Sequence, residues 1–409
     1  MQITKPSPQR LLFYLAVVVL SVVYLLVGAK LWVDQANLFR NETELVSEKA
    51  KVLLILYDRN DIGEIGGNVY YEQVITFQAQ FLSGEQEGET VIATQTIDNM
   101  TTTGSIPVQV GDKIFLTQVE LNGEQQWVAG DYCRTDGLLI LGGAFLLGLL
   151  ILGGLTGVKT ILSLGFTCLA VFVVFVPAIL AGCNPYFISI VTCLYVIAMT
   201  LALVSGPSRK SLSAALGCTG GVLVAGLLTI LMEQMLHLSG YLDDETMYVS
   251  LLNETNPIDL KAIIFAAIII GAMGATMDVA MDITSALFEI CRKVPDISFW
   301  HLVQSGFTIG RDIMGTMANT LILAYIGGSL TTVLLYASYQ ASLEQLLNRE
   351  LIVVELLQAL CGSIGILCTI PITALIGAGL ACHSRTKPEQ EQVDQLPELS
   401  EASESNTEE

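Results

Sequence analysis

Long apolar stretches constrain this chain more than any other feature of its sequence. A transmembrane helix needs about 20 predominantly apolar residues, and eight stretches reach or approach that length. They are residues 11–32, 138–155, 160–180, 187–205, 212–232, 262–287, 313–336 and 355–381. Charged residues make up 14% of the chain, against roughly 25% in soluble domains. We therefore predict a mostly α-helical integral membrane protein with about eight transmembrane helices.

Basic residues near the helix ends predict the orientation, because cytoplasmic loops carry more Lys and Arg than outer loops. With the N-terminus inside, the short outer loops hold only Lys261 and Arg349. The basic residues on the inner side are then Lys5, Arg10, Lys159, Arg209, Lys210, Arg292, Lys293, Arg311, Arg385 and Lys387. Both termini are therefore predicted to be cytoplasmic.

The first apolar stretch, within residues 1–33, admits two interpretations. Lys5 and Arg10 precede it, and Val27-Gly28-Ala29 is compatible with signal-peptide cleavage. Its apolar part is longer than the roughly 7 to 15 residues of a typical signal core, which favours an uncleaved anchor helix. Under either interpretation, the segment that follows is exported.

Residues 34–136 are predicted to form a small exported β domain between helices 1 and 2. The segments KVLLILYD, YYEQVITFQAQFL, ETVIATQTI and DKIFLTQVEL are rich in β-branched and aromatic residues, with Gly-, Asn- and Glu-rich turns between them. A Gly-Asp turn precedes the last of them, as in small barrels of the OB or SH3 type. The sequence leaves open whether this barrel is a spacer or binds a ligand.

The rest of the chain is predicted to be a seven-helix membrane domain, residues 137–382, and an acidic tail, residues 383–409. The tail contains almost no apolar residues, so we expect it to be disordered and solvated. The acidic loop between residues 233 and 260 lacks the regular spacing of a calcium-binding loop. Glu233 and Glu355 fall at helix ends and are expected to reach the outer interface.

The sequence predicts no cofactor, no metal site and no nucleic-acid partner. Its nine cysteines and three histidines form neither a CxxC pair nor a zinc-binding spacing. It also contains no GxxxxGK[ST] or GxGxxG motif, so nothing indicates nucleotide hydrolysis or dinucleotide binding.

Carboxylates interrupt the sixth apolar stretch, in the segment GATMDVAMDITSALFEI. At the depth of a bilayer, each carboxylate costs about 2.5 to 3.5 kcal/mol on insertion scales. A helix turns by about 100° per residue, which places four polar side chains on one face, namely Asp278, Asp282, Ser285 and Glu289. Such a polar stripe can face a protein interior or a water-filled cavity.

The next helix offers a second polar face as a partner. It is formed by Thr308, Asp312, Thr316 and Asn319, with Arg311 to one side. Antiparallel packing would bring Asp278 to the level of Asn319 and Asp282 to the level of Thr316 or Asp312. It would also bring Glu289 near Arg311. Glycines such as Gly274 and Gly315 would allow the two backbones to approach closely.

Two interpretations of this cluster remain open. In the first, the polar oxygens form a hydrated site for a cation or a proton, whose charge offsets the cost of burial. Its candidate residues are Asp278, Asp282, Ser285, Glu289, Asp312, Thr316 and Asn319. In the second, Glu289 forms an ion pair with Arg311 or Lys293, Asp282 reaches the headgroups, and only Asp278 needs an internal hydrogen bond.

These two helices resemble the paired signature of the YibE/F-like family of bacterial membrane proteins. The matching segments are MDVAM from Met277, Ser285-Ala286, Glu289, GRDIMGTM from Gly310, and NTL from Asn319. The exported domain is also similar to that of longer members through LSGEQEGET, VGDKIFL and DYCRTDG. The resemblance implies a multi-pass protein of the bacterial plasma membrane, with a shorter family member as partner in a hetero-oligomer. It implies no established activity and no catalytic residue.

Three classes of function follow. The leading hypothesis is a transporter or permease that binds a cation or a proton between helices 6 and 7. The alternative is an envelope scaffold or sensor that acts through the exported domain. The third is an intramembrane protease with Asp278 and Asp312 as a carboxylate dyad. Arg311 would keep Asp312 ionised, and GxGD is absent, so we predict that the protein is not an enzyme.

Overall fold

A computed structural model of the chain describes residues 8–33, 47–65, 68–84, 86–98, 105–121, 124–252, 257–338 and 342–383. These residues divide between two compact units. One unit is Phe39–Ile151, and the other combines Met1–Leu38 with Leu152–Glu409. The predicted acidic tail, apart from His383, lies outside the described residues.

The first unit contains a closed barrel of five strands. The strands are β1 (Ser47–Ile65), β2 (Asn68–Phe81), β3 (Thr90–Asp98), β4 (Lys113–Leu121) and β5 (Glu124–Tyr132). Their order around the barrel is β1-β2-β3-β5-β4, with β3 and β5 parallel and the other neighbours antiparallel. This arrangement confirms the predicted small β-barrel between the first helix and the second span.

Alternation along the strands fills the barrel with apolar side chains, because successive residues of a strand point to opposite faces. Phe81 meets Trp127 edge to face, with ring centroids 5.0 Å apart. The one polar side chain among the buried residues described in the barrel, Gln95, accepts a hydrogen bond from the Val108 amide and donates one to the Ile106 carbonyl. The apolar core consists of Ala50, Val52, Ile75, Phe77, Ala79, Phe81, Ala93, Val108, Ile114 and Leu116.

The fifth strand is the one that the sequence does not predict. Its segment EQQWVAGDY opens with three polar residues and contains Gly130, both of which weaken a strand pattern. Gly130 faces β4 closely, since a side-chain Cβ there would lie 3.3 Å from the Phe115 carbonyl oxygen. Pairing with β4 therefore makes this segment a strand.

The same unit continues into α2 (Thr135–Gly153), which is long and apolar enough to span a membrane. Asp136 in its first turn forms an ion pair with Lys113 of β4. This carboxylate raises the pKa of Lys113. No residue of α2 is buried within the described chain.

The second unit is helical. In chain order it contains α1 (Pro8–Gly28) with a π-helical extension (Ala29–Val33), α3 (Leu155–Leu169) with a π-helical segment (Ala170–Phe175), α4 (Val176–Leu180), α5 (Pro185–Ser205), α6 (Arg209–Met235), α7 (Asp244–Leu251), α8 (Leu260–Lys293), α9 (Phe299–Gly328), α10 (Leu330–Ser338), α11 (Leu343–Leu347) and α12 (Glu350–His383). Across the two units, the described residues include seven helices able to cross a membrane by length and composition, or eight if the bent pair α9–α10 is one span. The prediction of about eight spans is confirmed.

The seventh predicted span differs most from the structure. The sequence predicts one helix over residues 313–336, whereas α9 begins at Phe299 and the chain bends by 59° between α9 and α10. The Ser298 side chain caps the new start by accepting a hydrogen bond from the His301 amide. The segment FWHLVQSGFTIG mixes polar and apolar residues, so hydropathy alone does not identify it, yet its Leu302 and Val303 are buried.

The first helix packs against the rest of its unit. The Lys159 ammonium donates a hydrogen bond to the Tyr14 hydroxyl over 2.8 Å. Near the other end of α1, Tyr24 stacks on Tyr195 of α5 with ring centroids 4.0 Å apart. These contacts hold α1 against other helices of its unit, while its retention in the mature protein stays a prediction.

Candidate functional site

Helix α8 carries the first polar stripe and is anchored at both ends. The Asp259 carboxylate caps its start by accepting hydrogen bonds from the Lys261 and Ala262 amides. Arg292 and Lys293 occupy its last turn, where positive charge is favourable to the helix dipole. At about 1.5 Å per residue, Asp278 and Asp282 lie about 22 Å and 16 Å from Lys293 along the axis. Asp278 therefore lies near the middle of this 34-residue helix, and Asp282 lies one turn closer to its C-terminal end.

One side of α8 is buried against other helices, and the two aspartates lie on the opposite side. This helix packs against α5, α6, α9 and α12 through a mostly apolar face. Asp278 and Asp282 lie on the exposed side. Neither has an ion pair or hydrogen bond within the described part of the chain. The buried face includes Thr276, Val279, Ala280, Ile283, Thr284 and Leu287.

Ser285 and Glu289, the other two members of the α8 stripe, have interaction partners within α8 itself. The Ser285 hydroxyl donates a hydrogen bond of 2.6 Å to the Met281 carbonyl. The Glu289 carboxylate forms ion pairs with Arg292 at 2.7 Å and Lys293 at 3.4 Å. The charge of Glu289 is thus compensated, whereas Asp278 and Asp282 have no oppositely charged partner within the residues that the structure describes.

Helices α8 and α9 run antiparallel, as expected, and close contacts fix their register. A Cβ on Gly306 would lie 3.4 Å from Leu287, and one on Gly310 would lie 3.2 Å from Ile283. This register places Asp282 at the level of Arg311 and Asp312, and Asp278 near Thr316 rather than Asn319. Glu289 lies at the level of Gln304, about two turns from Arg311, so the register does not bring these two ion-pair candidates together.

The polar face of α9 points away from its packing contacts. Gly306 and Gly310 lie against Ala374 and Ile370 of α12, because small residues allow helices in membranes to approach closely. That packing leaves Thr308, Arg311, Asp312, Thr316 and Asn319 exposed. The Thr308 and Thr316 hydroxyls donate to the carbonyls of Gln304 and Ile313 in their own helix. The two polar faces therefore share a level, but the packed face between the helices is apolar and glycine-rich.

One acidic residue behaves differently from its prediction. Glu233, expected at the outer interface, is only 4% exposed. The Tyr186 hydroxyl of α5 donates a hydrogen bond of 3.0 Å to its Oε2 atom. The two residues are 47 positions apart, so no local sequence pattern could have paired them.

The described residues contain no group of three or more His, Cys, Asp or Glu side chains placed to hold a metal ion. An apolar cavity of about 200 Å³ lies between α5, α6 and α8, bordered by residues such as Leu194, Leu227 and Phe265. No carboxylate borders this cavity among the described residues. The carboxylates of α8 are thus separate from it.

Comparisons with known proteins identify one family. A family model described as YibE/F-like protein matches residues 141–383, more than half of the chain. The match contains both α8 and α9. No curated protein matches the chain, and no solved structure matches it.

Proposed function

This chain belongs to the YibE/F-like family and is a multi-pass membrane protein, and we propose that it is a transporter or permease that binds a cation or a proton at the polar faces of α8 and α9. One contrast within α8 carries the proposal. Glu289 is neutralised by two basic neighbours, whereas Asp278 and Asp282 lack a basic partner among the described residues. Binding, rather than bond-breaking chemistry, is the role assigned to these side chains.

Charge compensation is the physical reason for this assignment. Asp278 and Asp282 are one helical turn apart, so their like charges repel each other. Each also carries the cost of an ionised group at membrane depth. A bound cation or proton relieves both penalties, and its release restores them. Such a pair of aspartates can therefore bind and release a cation or a proton.

A partner subunit is part of the proposal. Lipid-exposed polar residues are expensive in a bilayer, yet Asp312 and Asn319 on α9 and both aspartates on α8 are exposed in the single chain. We propose that a shorter YibE/F-like relative covers these faces in a hetero-oligomer in the bacterial plasma membrane. We place both termini in the cytoplasm, following the distribution of basic residues.

The alternative function is an envelope scaffold or sensor. It is favoured by apolar side chains on the outer surface of the barrel, where Leu54 of β1 is 53% exposed and Ile92 of β3 is 61% exposed. Both pair with Gln78 of β2, so they lie in one row across the sheet. In this alternative a protein partner binds that row, and the helical stripe only packs against neighbours.

The first test is a ligand screen on the purified full-length protein. Thermal unfolding is measured in Na⁺, K⁺, Mg²⁺ and Ca²⁺ and across a pH series, for the wild type and Asp278→Asn. A ligand that binds only the folded state stabilises it by about 2.7 kcal/mol at 100 times its Kd. We expect one cation or one pH range to raise the wild-type Tm, and this shift to disappear in Asp278→Asn.

Glu289→Gln is the matched control, because it removes an acid from the same stripe that already has ion pairs. It should keep the ligand-dependent shift. A wild type without any shift, together with an Asp278→Asn variant that is merely less stable, would contradict the binding site. Loss of the cellular phenotype on deletion of residues 40–130, with Asp278→Asn active, would favour the scaffold.

A further inference from the structure

Glu233 is a buried carboxyl group that the α8 and α9 site does not use. It lies in the last turn of α6 and is 4% exposed. Its Oε2 atom accepts the hydrogen bond from Tyr186. Its Oε1 atom is buried and has no hydrogen-bond partner within the described residues. Half of this carboxyl group is therefore unsatisfied.

The surroundings of Glu233 offer little compensation for a negative charge. Phe265 of α8 packs against the Tyr186 ring with centroids 4.9 Å apart. Asp259 and Lys261, at the start of α8, interact electrostatically with the Glu233 carboxyl group. The Cys361 thiol of α12 does so as well. No Lys, Arg or His of the described chain lies within ion-pair distance of the carboxylate.

A buried carboxylate with one hydrogen-bond donor is expensive, since an unsatisfied buried polar group costs about 1–3 kcal/mol and a charged one costs more. A proton on Oε1 removes the charge and with it the larger part of this cost. A calcium ion would need six to eight oxygen ligands, and the neighbouring Thr229 hydroxyl already donates to the Ala225 carbonyl. The site therefore suits a proton better than a metal ion.

We propose that Glu233 binds and releases a proton inside the helical unit, with Tyr186 holding the carboxyl group in place. Glu233 lies close to the end of α6, where the next residues, Gln234 and Met235, are exposed. This proposal does not depend on a cation site at Asp278. A purely structural Glu233 would keep one protonation state across the range in which the protein is folded.

Infrared spectroscopy of the full-length protein tests this directly. The carbonyl band of protonated carboxyl groups is recorded across a pH series for the wild type, Glu233→Gln and Glu355→Gln. Because the chain has 39 Asp and Glu residues, we expect one component of this band to titrate in the wild type, to be absent from Glu233→Gln and to persist in Glu355→Gln. The Glu355 variant is the matched control because its residue is a glutamate of α12 that is partly exposed.

Tyr186→Phe gives a second and independent measurement. Removing the hydroxyl removes the one hydrogen bond that the described residues donate to the Glu233 carboxyl group, so the titrating band should shift in frequency. If Glu233→Gln does not fold, this shift by itself assigns the band. Wild-type and Glu233→Gln spectra that titrate alike, or a band unmoved by Tyr186→Phe, would overturn the proposal. Neither result depends on the outcome of the cation screen.

Discussion

Gly221→Val protein is expected to lose most of its folded, monodisperse population on purification from membranes. A Cβ at Gly221 would lie 1.8 Å from the Thr369 hydroxyl oxygen and 2.9 Å from the Gly365 carbonyl oxygen of α12. The Thr369 side chain can rotate, but the backbone carbonyl cannot. Helices α6 and α12 would have to separate, in the region where α6, α8 and α12 form the centre of the helical unit.

The expected magnitude follows from overpacking. Inserting even small groups into a packed core typically costs about 1–3 kcal/mol. Valine carries two methyl groups in addition to the Cβ atom that already clashes. Total stabilities are about 5–15 kcal/mol, so the loss should be visible as aggregation and a lower Tm. Size-exclusion chromatography and thermal unfolding of the purified protein measure it.

Gly379→Val is the matched control for this prediction. Gly379 is a glycine of α12 with no atom within 4 Å of the position that a Cβ would occupy. Its replacement should leave the elution profile and the Tm close to those of the wild type. Equal damage from both substitutions would show that glycine is needed for some reason other than the contact between α6 and α12.

The second large effect is expected in the barrel, from Phe77→Ala. Phe77 of β2 has no exposed surface and lies in the middle of the apolar core. Removing a buried aromatic side chain costs about 3–5 kcal/mol through lost transfer energy and the cavity that remains. Hydrogen exchange in the full-length protein should show a large loss of protection in β1 to β5.

Tyr57→Ala serves as its control, because Tyr57 is an aromatic residue of the adjacent β1 but is 75% exposed. Protection in the barrel should change little in this variant. The Phe77 variant also separates the two proposed functions. Under the transporter proposal, its ligand-dependent Tm shift should survive, whereas an envelope sensor should lose its partner together with the barrel.

The sequence predicted the membrane class, the approximate spans and the barrel, because these depend on local composition. Twenty-residue apolar runs have few alternatives in a bilayer, and β-branched runs between turns are typical of strands. Local sequence patterns do not predict strand β5 or the start of α9, and the reason is the same for both. Each has a weak local pattern and is held in its conformation by neighbours, β4 in one case and α12 in the other.

The candidate site shows the same division. Helical periodicity by itself determined that Asp278 and Asp282 share one face of α8. Only the tertiary structure decided where that face points, because the direction depends on which surfaces of α6, α9 and α12 pack best against α8. It also decided that Glu233 is buried beside Tyr186, since a contact between distant residues has no local signature. Local composition fixes what a segment is, and packing between segments fixes which side chains meet.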